Sequence, residues 1–188
     1  MKIKKIWNFI WHDDSWLAWF VNLILAFIIV KFIIYPLLGF ALATNLPVVA
    51  VISGSMEHPG SFNDWWQSQE SWYTQNNISL ETFKFFPLKN GFNKGDVIFL
   101  TGHGTIEVGD VIVFQGYSNN PIIHRVVKIE TENNKNFYTT KGDFNRDSSF
   151  DLGEVNIPEE RIIGKAVFKV PYLGWIKILF SDLVNSIF

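Results

Sequence analysis

One long apolar run constrains the fold of this chain more than any other feature. Between Trp16 and Leu42, only Asn22 and Lys31 are strongly polar. As an α-helix the run would be about 40 Å long, enough to cross the ~30 Å hydrocarbon core of a membrane with some tilt. A cleavable signal sequence has a shorter apolar region followed by small residues, so the pattern favours a retained transmembrane anchor over residues 16–43. A removed signal and a buried helix of a soluble protein are the alternatives.

The charges that precede the anchor predict its orientation. Lys2, Lys4 and Lys5 lie on its N-terminal side, and positively charged flanks tend to stay in the cytoplasm. The sequence therefore predicts a single-pass protein of the cell membrane, with residues 1–15 cytoplasmic or interfacial and residues 44–188 extracytoplasmic.

The chain beyond the anchor is predicted to be mainly β. Short runs rich in β-branched and aromatic residues are separated by Gly-Asp turns, and no helical pattern of comparable strength alternates with them. This arrangement favours an antiparallel β domain over a doubly wound α/β fold. The predicted strands are 47–52, 96–100, 110–115, 122–129, 137–140 and 162–170.

Two segments stand apart from the β pattern. Residues 58–95 are rich in Trp and Phe among polar neighbours, which suits either a cap on the β core or a loop at the membrane interface, and we favour the interface. Residues 172–188 are apolar but include Lys177 and Asp182. Their apolar stretch is short, so we expect an interfacial C-terminal segment rather than a second transmembrane helix.

Composition excludes several classes of function. A net charge of −2 gives no basic bias toward nucleic acid. The chain has no cysteine, so disulfides and thiolate metal sites are ruled out, and its four histidines are too scattered to indicate a metal. We expect neither a metal nor a cofactor.

A candidate nucleophile follows the first predicted strand, in the Ser-Gly-Ser-Met turn at residues 53–56. Ser55 lies where its hydroxyl can project and nearby backbone N–H groups can face an oxyanion. Ser53 either adds a hydroxyl to that oxyanion site or simply ends the strand. Taken alone, Ser-Gly-Ser is an ordinary turn, so a catalytic role requires a base elsewhere in the chain.

His124 is the candidate base. It lies in an apolar strand, where alternation places it on one face with Ile122 and Val126. A lone histidine in such a strand is commonly structural. The need for a base near Ser55, and the poorer placement of the other three histidines, favour a catalytic role.

A polar loop at residues 141–154 supplies acidic side chains, Asp143, Asp147 and Asp151. Loops of this kind are commonly solvated or bind calcium, but this one lacks the Gly and the terminal Glu at the positions of an EF-hand. One of these carboxylates can instead orient His124.

The order of these features resembles the type I signal peptidases, specifically the archaeal and endoplasmic-reticulum type. The resemblance covers nearly the whole chain: the anchor, "SGSM", "HRVV", "KGDFN" and "IIGKAVFKVPYLG". It implies a signal-peptidase-like antiparallel β domain and a membrane-bound serine endopeptidase that removes signal peptides from exported preproteins. The implied partners are those signal peptides, the lipid bilayer and the protein-export channel.

The resemblance also implies roles for individual residues. Ser55 matches the nucleophile, and His124 matches the base, where bacterial members have lysine. Asp143 matches the first acidic residue of the Gly-Asp box, and Ser53 matches a position that assists the oxyanion hole. Asp151 is our preferred partner for the imidazole, which completes a Ser-His-Asp mechanism.

The sequence departs from the family pattern at two places. Relatives often carry the His-orienting aspartate where this chain has Ser149. Asp147 and Asp151 flank that position, so Asp147 is the alternative to Asp151. His58 is the second departure, because relatives often read Met-Glu-Pro where this chain reads Met-Glu-His-Pro.

Two other functions are alternatives to signal-peptide removal. A non-catalytic, membrane-anchored β subunit would keep the fold, with the reactive atoms of Ser55 and His124 more than ~6 Å apart. A related serine peptidase that acts on other membrane-anchored or secreted proteins would share the site and differ in substrate.

Overall fold

The computed structural model describes residues 2–118, 120–176 and 178–179. The chain divides into two compact units between Ala41 and Leu42. The N-terminal unit consists of α1 (Lys2–His12), α2 (Trp16–Ile29), a π-helical turn (Val30–Ile34) and α3 (Tyr35–Ala41).

The predicted anchor is one continuous helix, Trp16–Ala41, whose length and apolar composition are sufficient to cross a membrane. The π-helical turn has a local cause, because Pro36 lacks the N–H that an α-helical hydrogen bond requires. The N–H of Tyr35 instead donates to the carbonyl of Val30, five residues earlier. Large apolar side chains along the helix are exposed, as lipid contact would require.

The second unit contains a seven-stranded antiparallel sheet in the order β1-β2-β7-β3-β4-β5-β6. The predicted mainly β fold is confirmed, and each predicted strand is present. Only β6, two residues long, was not predicted, because so short a run carries no periodic signal. The strands are β1 (Val48–Ala50), β2 (Val97–Thr101), β3 (Val111–Gln115), β4 (Pro121–Glu132), β5 (Lys135–Lys141), β6 (Ile157–Pro158) and β7 (Ile162–Val170).

Strand β3 lies at the centre of the sheet and is buried on both faces. Val111 and Val113 belong to one apolar cluster, whereas Ile112 and Phe114 belong to another. Alternating side chains of a strand point to opposite faces, so β3 contributes to a core on each side. The neighbouring strand β4 pairs directly with this buried strand.

The Trp-rich segment forms two helices, α4 (Phe62–Gln75) and α5 (Leu80–Phe83). Ser61 and Asp64 form a capping box at the start of α4, a sequence signal for a helix that the β-oriented interpretation overlooked. Fully buried aromatic side chains cannot contact lipid, so the membrane-interface interpretation is wrong for them. This segment caps the β core with Trp65, Trp66, Tyr73 and Phe83.

The C-terminal segment predicted to be interfacial, residues 172–188, lies mostly outside the described residues. Within the described part, the N–H of Gly174 donates to the carbonyl of Gly95 over 2.8 Å. The start of this segment is therefore attached to the turn that precedes β2.

Candidate active site

The turn that carries Ser55 is attached to the domain by its backbone. Ser55 follows β1, and its carbonyl accepts a hydrogen bond from the N–H of Phe144 over 2.8 Å. The next residue, Met56, is fully buried in the core, and its carbonyl accepts from the N–H of Phe92 over 3.0 Å. These bonds hold the backbone while the Ser55 side chain remains partly accessible.

The structure brings Ser55 and His124 together, although 69 residues separate them in the sequence. The Nε2 atom of His124 lies 2.8 Å from the Oγ of Ser55. His124 is only 4% exposed, and β4 places it opposite Ile112 of the central strand. A serine hydroxyl at this distance from an imidazole can pass its proton to the ring.

The acidic partner of His124 is Glu154, and neither predicted aspartate takes this position. One Glu154 oxygen, Oε1, contacts Nδ1 of His124, and the other accepts a 2.7 Å hydrogen bond from the N–H of Ser149. Asp151 is exposed in a turn. Asp147 accepts hydrogen bonds from Trp72 and Ser148 instead.

Loop geometry explains this difference from the sequence prediction. Gly153 adopts a φ of +74°, a conformation that glycine tolerates better than other residues. The chain then reverses so that the N–H of Thr140 donates to the carbonyl of Glu154 over 2.9 Å. That bond holds Glu154 inside the domain, while residues 150–152 remain exposed. The available signal was weak: Glu154 is an acidic residue that directly follows a glycine in the same loop.

Ser53 lies beside the candidate nucleophile, Ser55. Its Oγ is 3.2 Å from the Oγ of Ser55, and the residue is exposed. A hydroxyl at this distance can donate to a negative oxygen that develops on a carbonyl attacked by Ser55.

Asp143 lies on the other side of the nucleophile turn and does not contact the imidazole of His124. Its carboxylate accepts hydrogen bonds from Nε of Arg125 at 2.9 Å and from Nη2 at 2.6 Å. Tyr73 Oη donates to it over 3.0 Å, and His58 Nε2 donates over 2.9 Å. Both Asp143 and Arg125 are completely buried, so they form an internal ion pair.

Electrostatics keep this pair charged. Burial alone would raise the pKa of Asp143, but the Arg125 charge and the hydrogen bonds from His58 and Arg125 hold that pKa well below its usual range. Arg125 further donates to three backbone carbonyls, those of Pro87, Leu88 and Gly109. A fully buried ion pair is tolerated where such bonds satisfy its remaining donors.

Several residues of the Trp-rich segment support this loop through contacts that no sequence pattern predicted. Nε1 of Trp65 donates to the carbonyl of Asp143 over 3.1 Å. The ring of His58 stacks on Trp65 with a centroid separation of 3.6 Å. Burial lowers the pKa of His58, and its hydrogen bond to Asp143 offsets this only in part.

Lys141 ends β5 directly before the Gly-Asp turn and is also buried. Its Nζ donates to Gln69 over 3.0 Å and to the carbonyls of Gly142 and Asp143 over 3.1 and 3.4 Å. Burial lowers the pKa of Lys141 to about 8, although nearby carboxylates, those of Asp143, Asp147 and Glu154, oppose the shift.

Among the described residues, the structure contains no group of three or more His, Cys, Asp or Glu side chains arranged to hold a metal ion. The groups that surround Ser55 Oγ are the imidazole of His124 and the hydroxyl of Ser53.

Comparison with known proteins identifies several similar sequences. No protein-family model matches the chain. Signal peptidase complex catalytic subunit SEC11C of Homo sapiens is 30% identical over 102 residues, which cover 50% of this chain and 53% of that protein. Signal peptidase complex catalytic subunit SEC11 of Colletotrichum graminicola and its counterpart in Sclerotinia sclerotiorum are each 32% identical over 102 residues, covering 50% of this chain and 59% of theirs.

This chain spans a little over half the length of the curated relatives it matches. Their names describe catalytic subunits of a signal peptidase complex, so the resemblance read from the sequence motifs is confirmed.

Proposed function

We propose that this chain is a membrane-anchored serine endopeptidase that removes signal peptides from exported preproteins. The observation that carries the proposal is the alignment of Ser55, His124 and Glu154. The hydroxyl lies 2.8 Å from one imidazole nitrogen, and the carboxylate contacts the other. Its likeness to signal peptidase catalytic subunits supports the choice of substrate.

The reaction begins when Ser55 Oγ attacks the scissile carbonyl and neutral His124 takes the hydroxyl proton. Glu154 accepts a hydrogen bond from Nδ1–H, which leaves Nε2 free to act as the base, and its charge stabilises the imidazolium that forms. His124 then returns the proton to the leaving amine. Water repeats the sequence on the acyl-enzyme and releases the second product.

The tetrahedral intermediate carries a negative oxygen that requires donors. Ser53 Oγ, 3.2 Å from Ser55 Oγ, and backbone amides of the nucleophile turn would supply them. The substrate would bind as an extended strand with small side chains near the cut, a preference that follows from the resemblance to signal peptidases.

The anchor would place enzyme and substrate in the same membrane. We propose that the N-terminal residues face the cytoplasm and that the β domain lies outside, in the orientation indicated by the N-terminal lysines. A signal peptide embedded in the same bilayer would then meet Ser55 without a three-dimensional search. The export channel would be a further partner, because it delivers the substrate.

The test is cleavage of a purified preprotein by the full chain in detergent or liposomes, followed by mass analysis of the products. Ser55→Ala should lower the cleavage rate by about 10⁴-fold or more while leaving the circular dichroism spectrum unchanged. Ser71→Ala, which alters an exposed serine of α4, is the matched control and should cleave normally. Equal cleavage by wild type and Ser55→Ala would overturn the proposal.

The alternatives make different predictions in the same assay. A non-catalytic subunit requires the reactive atoms to be far apart, and the 2.8 Å separation of Ser55 Oγ and His124 Nε2 argues against it. A related peptidase with other substrates would leave the preprotein intact and cut a different membrane-anchored protein in a Ser55-dependent manner.

A further inference from the structure

His58 lies three residues after Ser55 and points away from it into the domain. Its side chain is only 3% exposed and lies flat on Trp65, with an interplanar angle of 4°. Nε2 donates to Asp143, whereas the buried Nδ1 has no hydrogen-bond partner among the described residues. The ring is therefore held on one face by Trp65 and at one nitrogen by Asp143.

The nucleophile turn and the Gly-Asp turn are joined at three positions. Phe144 N–H donates to the carbonyl of Ser55 over 2.8 Å, and Asp143 N–H donates to the sulfur of Met56 over 3.3 Å. His58, two residues after the Ser-Gly-Ser-Met turn, adds the third bond, and residues 53–58 are together called the nucleophile turn below. The bond from His58 is the only one of the three in which a side chain is the donor. A side chain at Gly142 would prevent this approach, since its Cβ would lie 2.8 Å from the Ser55 carbonyl oxygen.

Asp143 links His58 to the strand that carries His124. Arg125 holds the same carboxylate with two hydrogen bonds, and Arg125 is the neighbour of His124 in β4. The carboxylate of Asp143 thus connects the turn that carries the nucleophile to the strand that carries the base. His58 supplies the bond on the nucleophile side.

We propose that His58 is a positioning residue that fixes the nucleophile turn to Asp143 and so holds Ser55 within reach of His124. The effect of His58 on catalysis rests on the proposed peptidase function. The effect of His58 on the position of the turn is independent of that function. Two features of His58 allow this role: its Nε2–H donor reaches Asp143, and its flat ring stacks on Trp65.

The experiment compares variants that differ in this donor. His58→Phe keeps a flat ring on Trp65 and removes both nitrogens. His58→Gln places an amide N–H at a reach similar to that of Nε2. His58→Asn carries the same amide on a side chain one carbon shorter, so its N–H cannot reach Asp143. It provides a second variant without the bond in case His58→Phe does not fold.

Two measurements are made on the full chain in detergent. Backbone hydrogen exchange is followed in peptides that cover residues 51–60, and kcat and KM are measured on a preprotein. We expect His58→Phe and His58→Asn to exchange about tenfold faster there and to lose about 10- to 100-fold in kcat with little change in KM. His58→Gln should bring both the exchange rate and kcat close to their wild-type values.

Tyr73→Phe is the matched control, because it removes a different hydrogen bond to Asp143 from helix α4. It should leave exchange at residues 51–60 near the wild-type rate. Equal effects of Tyr73→Phe and His58→Asn, or wild-type exchange in His58→Asn, would overturn the positioning role. Faster exchange in His58→Asn, together with no Ser55-dependent cleavage by any form, would reject the peptidase and leave the positioning role standing.

Discussion

Two carboxylates, Glu154 and Asp143, are buried completely within this domain, and they have different partners. Glu154 contacts the imidazole of His124, whose other nitrogen faces the hydroxyl of Ser55. Asp143 instead binds Arg125 and donors from the nucleophile turn and helix α4. A carboxylate on a histidine can influence proton transfer, whereas one on a buried arginine mainly maintains the fold. We therefore expect loss of Glu154 to impair catalysis and loss of the Arg125 pair to impair stability.

The largest expected effect is on catalysis at Glu154. Glu154→Gln keeps the shape of the side chain and removes its charge, so kcat should fall by about 10³- to 10⁴-fold. Cleavage assays on purified full chain would measure it. Asp151→Asn is the control and should keep the wild-type rate, because Asp151 is exposed. The opposite pattern would restore the Ser-His-Asp assignment predicted from the sequence.

A smaller effect, on stability, is expected at Arg125. Arg125→Met leaves Asp143 buried without its cation and should lower the free energy of unfolding by about 3–5 kcal/mol. Urea unfolding in detergent would measure this loss. Lys128→Met, which breaks an exposed ion pair with Glu130, should cost less than about 1 kcal/mol. If Arg125→Met retained wild-type stability and lost activity, the proposed division between the two carboxylates would be wrong.

The smallest effect concerns Lys141, beside Asp143. Unfolded lysine keeps its proton until about pH 10.5, whereas burial lowers the pKa of Lys141 to about 8. The unfolded state therefore binds more protons above pH 8, and the free energy of unfolding should rise by about 1–2 kcal/mol between pH 8 and 9.5.

Lys141→Met should remove this increase, and urea unfolding at several pH values would detect it. The comparison must stay below pH 10, because the raised pKa of Tyr73 acts in the opposite direction above that point. A wild-type unfolding free energy that is flat from pH 8 to 9.5 would contradict the prediction.

Sequence patterns predicted the elements of the fold better than the details of the site. The strand around His124 and the turn at Ser55 could be identified because period-two hydrophobicity and Gly-Ser turns are local signals. The orienting carboxylate could not, since three aspartates and Glu154 lie within one loop and only its folding selects among them. The spacing of the family motif favoured the aspartates. The reversal of the chain at Gly153, which selects Glu154, has no periodic pattern in the sequence.

The role of the Trp-rich segment was equally hidden from the sequence. Its aromatic residues suit a membrane interface or a protein core equally well by composition. The capping box of α4 indicated a helix, but only the packed structure places Trp65 and Tyr73 against Asp143. These contacts join residues more than 60 positions apart, beyond any local pattern.

The sequence by itself determined the apolar helix, the mainly β domain, and the serine and histidine that can form a catalytic pair. Each depends on short-range periodicity or on a turn within a few residues. Tertiary structure decided that Glu154 contacts His124 and that Asp143 binds Arg125. It also decided that His58 joins the nucleophile turn to Asp143. Burial and hydrogen-bond geometry between distant segments fix these choices, and such properties exist only once the chain has folded.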